Sequence, residues 1–315
     1  MDLSATAFSA LQGSAYQDSQ SILASCTKHH NSDTLTFYRI SEALMIGFDD
    51  WLRRLGVPVR QADRAHRAIR VLEKAERAFL NCTNQADGTS KSDYLFGLTE
   101  ALELHDVYLA FRDYRPQQLC ERLTRALSGP ALPESETATS RDGRNVMFEL
   151  TLGAEWALCG AEVELLEPDL LLKVRDRGYL IACKRPEHEH SIRAAVRSAA
   201  SQLRSALPSA PNNYFGIIAV CISRVLNRGN AYFSGSYEQL SGLVNMLMGR
   251  HRTDWRTTEF HPRNIAVLFY AHTPADWGTG LFRLSAVRIG PTLLEESVHQ
   301  NLRDDMTNLY SNCGR

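Results

Sequence analysis

Glu149, Asp169 and Lys184 are residue types that together can perform phosphoryl chemistry. Hydrolysing a phosphodiester requires a hard cation that neutralises charge on the phosphate and acidifies a water. Mg2+ is held for that purpose by carboxylate oxygens and usually keeps several waters of its own. Glu149 and Asp169 are ligands of this kind. A lysine beside them can orient and deprotonate the attacking water or stabilise the pentacovalent transition state, and Lys184, directly after Ile181-Ala182-Cys183, fits that role. Other chemistries lack their signals: the chain has no G-x-x-x-x-G-K-[ST] loop, no G-x-G-x-x-G after a strand, no G-x-S-x-G and no H-E-x-x-H. His188-Glu189-His190 follows Pro186 in a loop without a third spaced ligand, and reads as surface.

Such a set works only if local elements bring it together. Asn145 to Leu158 reads as an amphipathic helix whose apolar sector holds Val146, Met147, Leu150, Ala154, Ala157 and Leu158, with Glu149 on its flank. Leu170 to Val174 and Tyr179 to Cys183 read as strands around a charged loop, Arg175 to Gly178. A hairpin opposing Val174 to Tyr179 sets Asp169 against Lys184 and Leu171 against Ala182. Ala182 and Lys184 then share a face able to present a site, while Ile181 and Cys183 turn into the core. Ser191 to Leu207 is helical and carries Gln202; Phe215 to Ile222 and Ile265 to Tyr270 are apolar strands covered on both faces. From Thr34 to Leu127 the apolar spacing is helical throughout. The first segment holds Ile40, Leu44, Ile46, Trp51 and Leu52, and others cover Gln61 to Leu80, Tyr94 to Phe111 and Pro116 to Leu127. The Pro-, Gly-, Ser- and Thr-rich stretch between them reads as a linker. The expected organisation is a helical sensing or assembly domain over 1–128, a linker over 129–144 and an α/β domain over 145–315.

Glu149 on a helix, Pro168-Asp169 opening a strand, and Ile181-Ala182-Cys183-Lys184-Arg185-Pro186 resemble motifs one to three of the PD-(D/E)XK, restriction-endonuclease-like, nuclease superfamily. Gln202-Leu203 is similar to the Q-L often found on that superfamily's next helix. The resemblance spans Arg144 to Tyr270. It implies an α-β-β-α-β core behind the all-helical amino-terminal half, and cleavage of nucleic acid, DNA ahead of RNA, with Mg2+ or Mn2+. It implies further that Asp169, Glu149 and the Cys183 backbone carbonyl hold the metal, that Lys184 acts on the water, and that Gln202 approaches the site. Ala182 departs from the pattern, standing where the family has Glu or Asp. Losing that carboxylate removes a metal ligand and most of the activity. Either the chain is a natural pseudonuclease or a glutamate was deliberately changed to alanine. Retention of Glu149, Asp169, Lys184 and Gln202 favours the engineered change. A ligand migrating from Glu187 or Glu189 is disfavoured, because both lie beyond Pro186. Bacterial restriction or anti-phage defence is a setting by fold-level analogy alone.

Composition excludes little beyond this. A formal net charge of -1 argues against a histone-like binder, and 44% hydrophobic content over 315 residues is that of a soluble globular chain. Seven scattered cysteines without C-x-x-C spacing read as reduced, mostly buried thiols. With neither a leader-like start nor an apolar run long enough for a membrane, the expected location is the cytoplasm. Arg193, Arg197 and Arg204 share one flank of their helix and, with Arg185, are candidate contacts to a nucleic-acid backbone, although such a stripe is more often solvated. The same solvated reading covers Arg60, Arg64, Arg67 and Lys74. The helical half is the expected surface for a protein partner or a homo-oligomer. Two rivals to the nuclease are an inactive nucleic-acid-binding or scaffolding protein that keeps the fold, and a purely structural interaction protein.

Overall fold

The apolar runs of the second half become one sheet with helices against both faces. A computed structural model describes residues 47–58, 64–80, 91–129, 136–137, 140–227, 233, 236–255, 258–276, 281–291 and 296–311. Helices α1 (Asp49–Leu55), α2 (Arg64–Leu80), α3 (Lys91–Phe111) and α4 (Leu119–Ala126) come first, then α5 (Asp142–Leu158). Strands β1 (Glu162–Leu165), β2 (Leu170–Val174) and β3 (Arg177–Lys184) follow as an antiparallel meander. Helix α6 (Ile192–Ala206) crosses to β4 (Tyr214–Cys221), which runs parallel to β3. The short α7 (Ser223–Leu226) and α8 (Tyr237–Trp255) lead to β5 (Asn264–Asp276), parallel to β4. Then β6 (Leu281–Pro291) returns antiparallel to β5, and α9 (Glu296–Ser311) follows. The six strands lie in chain order across one sheet, so the chain is a mixed α/β fold.

The central strands show why their sequences are apolar without alternation. In β4, Ile217, Ala219 and Cys221 face one core while Ile218 and Val220 face another. In β5, Ala266, Leu268 and Tyr270 oppose Val267, Phe269 and Ala271 in the same way. A strand buried on both sides has no polar face to display. One core, beneath α5, also contains Phe48, Trp51, Leu104, Phe111 and Leu123, so helical residues and sheet residues bury each other. The other lies beneath α6 and α8, with Val196, Leu203, Val244 and Trp255.

Several expectations from the sequence are adjusted by this geometry. The β2–β3 turn has two residues, Arg175 and Asp176, and the strand pairing is Leu172 with Tyr179 and Leu170 with Ile181. Arg175 takes the left-handed conformation at φ 56° and supplies the tight turn, so the loop expected to run to Gly178 closes two residues earlier. Gly178 instead sits within β3, where a Cβ would lie 2.6 Å from the Tyr214 ring, so glycine serves a close approach there. The pairing is displaced by two residues from the expected one, which preserves which side chains share a face; Asp169, just before the ladder, meets the Cys183 N–H and is not set opposite Lys184. Strands β1 and β6 and helices α8 and α9 were not anticipated. Ile40, Leu44, Ile46 and Arg60 lie outside the described residues. Arg64, expected on a solvated face, is buried; its guanidinium pairs with Glu100 at 3.2 Å and donates to the Ala126 carbonyl at 2.9 Å. Glu136, within the expected linker, is also buried. Cys120, Cys183 and Cys221 are free thiols as expected, whereas Cys159 is disulfide-bonded. Among the described residues no helix is long and apolar enough to cross a membrane.

Asp305 on α9 is fully buried and accepts from Arg177 at 2.8 Å and from the Tyr179 hydroxyl at 2.6 Å, tying the last helix to the start of β3. Removing Asp305 leaves the buried Tyr179 hydroxyl without its acceptor and the part-exposed Arg177 without its anion. We therefore expect Asp305→Ala to lower the unfolding free energy by about 3 kcal/mol in urea titration, and Asp305→Asn, which keeps an acceptor for Tyr179, to lose less.

Candidate active site

Four of the residues picked from the sequence meet where β2 begins and β3 ends. Asp169 immediately precedes β2, and its Oδ2 accepts the Cys183 backbone N–H at 2.6 Å, fixing the carboxylate across the hairpin. Lys184 ends β3 and donates from Nζ to the Gln202 side-chain oxygen of α6 at 2.5 Å. Glu149 reaches the same place from the middle of α5, where it is one of a run of buried residues. Asp169 and Lys184 both act electrostatically on Glu149, so the three charges share one neighbourhood.

A fourth charge comes from the helical layer. Arg122 of α4 forms an ion pair with Glu149 and donates to the Leu166 carbonyl at 2.9 Å, just ahead of Asp169. Leu119, Arg122, Leu123 and Ala126 are the buried positions of α4, spaced as one helical stripe. An arginine on an apolar stripe is thus the signal that sequence reading overlooked: such a side chain is either exposed by the fold or paired within it.

Burial governs the chemistry of both carboxylates. Glu149 is raised from its ordinary 4.5 to about 7, first by desolvation and then by the Asp169 charge, against the opposing pull of Arg122. Desolvation likewise raises Asp169 from 3.8 to about 6, although the Cys183 N–H and the Lys184 charge work the other way. Burial also pushes the Cys183 thiol well up, so it is an inert neighbour. Two desolvated carboxylates whose proton affinity remains high despite Arg122 and Lys184 offer the donor chemistry of a hard divalent cation, which needs only one or two carboxylates when waters complete its shell. Among the described residues no group of three His, Cys, Asp or Glu side chains is placed to hold a metal. Ala182, next to Cys183, offers no donor atom from its side chain. It is fully buried, in the core beneath α6, on the face it shares with Lys184.

Comparison with protein-family models, with curated proteins and with solved structures found no match to the chain. The site therefore stands on its own geometry.

The arginines proposed as backbone contacts do not converge on it. Arg193 lies 3.7 Å from Asp254, and Arg204 pairs with Glu259 at 3.1 Å; both are exposed, as is Arg197 on the same helix. Arg185 turns to Glu136, at 3.1 Å. Glu187, a weighed substitute ligand, lies 3.8 Å from Arg141, while Glu189 is 3.3 Å from Arg250.

The raised carboxylates set a pH dependence. Between their ordinary values and about 6 to 7 the folded state holds protons that the unfolded chain has released, so their contribution to stability falls as pH rises through that window. Denaturant titrations between pH 4 and pH 8 should show this decline, and the Glu149→Gln, Asp169→Asn double variant should flatten it.

Proposed function

We propose that the chain is a metal-dependent nuclease of the PD-(D/E)XK type, weakened as it stands by Ala182, acting on the phosphodiester backbone of nucleic acid. The observation that carries this reading is the meeting of Glu149, Asp169, Lys184 and Gln202 at one end of the β2–β3 hairpin, from three separate stretches of chain. The order α5, β2, β3, α6, β4 supports it, being the helix, strand, strand, helix, strand succession of a restriction-endonuclease-like core with β1 added before β2.

In this reading Asp169 and Glu149 hold a divalent cation, with the Cys183 carbonyl as a further donor. When bound, the cation supplies charge neutralisation on the phosphate and a more acidic water. Asp169 is held ready by the Cys183 N–H. Glu149, paired with Arg122 in the free protein, would be the second carboxylate to hold the cation. Lys184, oriented by Gln202, holds the attacking water on its ammonium side and stabilises charge building on the phosphate. Ala182 leaves the donor set one carboxylate short, and fewer protein donors mean weaker cation binding and a lower rate.

A second reading is an inactive protein that keeps the fold and binds nucleic acid. The Arg122–Glu149 pair favours it, since a guanidinium already supplies positive charge at that carboxylate, and so does the apolar enclosure of Ala182.

Plasmid DNA and structured RNA incubated with Mg2+ or Mn2+ separate the two. Ala182→Glu should cleave at least tenfold faster than the unaltered chain, and adding Asp169→Ala should abolish the gain. A folded Ala182→Glu protein that cuts neither substrate would favour the inactive binder. Cation binding is read independently by thermal melting. Mn2+ at a hundredfold excess over its dissociation constant stabilises the fold by about 2.7 kcal/mol. The resulting rise in melting temperature should be larger at pH 8 than at pH 5.5, where protons compete for the same oxygens, and absent from Glu149→Gln, Asp169→Asn.

A further inference from the structure

A second charged cluster lies beyond the carboxylate site, where the parallel strands β3 and β4 end. Glu136, with its side chain only 1% exposed, is surrounded by three guanidiniums from three elements. Arg144, in the first turn of α5, contacts its Oε1. Arg185, directly after β3, donates to Oε2 at 3.1 Å, and Arg224, on α7 after β4, approaches the same oxygen at 3.5 Å. Arg144 also pairs with Glu100, which in turn pairs with the buried Arg64. Among the described residues the cluster brings four guanidiniums to the carboxylates of Glu100 and Glu136; the nearby Glu103 is engaged by His272 at 2.7 Å. Three forks converging on a single anion are the arrangement that recognises a phosphate, whose oxygens accept from several directions.

The position agrees with that chemistry. The carboxyl ends of parallel strands are where open α/β sheets bind ligands. Arg185 directly follows Lys184, so the cluster adjoins the carboxylate site along the chain. Glu136 itself belongs to a stretch, Ser128 to Ser140, that is rich in Pro, Ser and Thr and has little to bury. Among the described residues of that stretch, Glu136 is the one whose carboxylate meets the cluster.

We propose that Arg144, Arg185 and Arg224 form a phosphate-binding site for the nucleic-acid backbone, and that Glu136 occupies it in the free protein as an internal carboxylate that the backbone displaces. The choice of nucleic acid rests on the functional reading above. The test needs no catalysis, so its failure leaves that reading standing. Fluorescence anisotropy of a labelled 20-nucleotide DNA, in EDTA at low salt, should show Glu136→Gln binding about tenfold tighter than the unaltered chain. Its salt dependence should be steeper by about 0.7 in log–log slope for one added single-strand phosphate contact. Adding Arg224→Gln should remove both gains. A folded Glu136→Gln protein that binds no tighter would overturn the proposal. So would a gain for inorganic phosphate, read as a rise in melting temperature, without one for DNA. Should Glu136→Gln fail to fold, hydrogen exchange of the unaltered chain decides: peptides containing Glu136 should exchange faster when DNA is bound, and unchanged or slower exchange would overturn the displacement.

Discussion

Two carboxylates taken out of water at the end of a β-hairpin set the terms for the structure around them. Glu149 and Asp169 are each only 8% exposed, and an ionised carboxylate in such a place is tolerated only with donors and cations close by. The fold supplies them from every side: a backbone N–H from β3, a lysine at the end of that strand, and an arginine from a helix more than twenty residues upstream of Glu149. Even so, desolvation outweighs the help, and both groups stay readier to take a proton than an exposed carboxylate. That residual demand for positive charge is what turns a polar corner into a site.

Meeting this demand binds the helical layer to the sheet. Arg122 reaches Glu149 because α4 packs against α5, and α5 in turn covers the sheet face formed by Ile181, Ala219 and Leu268. The polar connections run in parallel with the apolar ones: Arg64, Glu100, Arg144 and Glu136 form a chain of ion pairs from α2 to the ends of β3 and β4. Charge and core therefore specify the same arrangement, the agreement between levels that singles out one native packing.

Much of the second half was legible in its residues. The span of β2 was read to the residue, and α5, β3, α6 and β4 to within three, because length, apolar pattern and breakers agreed in each. Glu149, Asp169 and Lys184 could be singled out because a chemical requirement names their types, and Gln202 through the family resemblance; the structure brings the four together. The hairpin register escaped because Gly178 looked like a turn residue, whereas its lack of a side chain serves Tyr214 on the next strand, a neighbour that sequence distance hides. Face assignments survived since a displacement of two leaves the alternation intact. Arg122, Arg64 and Glu136 escaped for a common reason. Charged residues on helices and in loops are usually solvated, and only tertiary packing shows which of them have been drawn inside. The mixed character of β6 and α8 gave no period strong enough to announce them.

The shared core carries a consequence for how the protein can be taken apart. Phe48, Trp51, Phe111 and Leu123 lie in the same apolar cluster as Ile181 and Tyr270. Cutting the chain before α5 would leave the sheet-bearing half with a bare hydrophobic face and an uncompensated glutamate, and would leave the helical half without the surface it rests on. Neither piece is a portable module. Transplanting the site to another scaffold, or silencing it by truncation, would have to carry the first helices along, because they complete it.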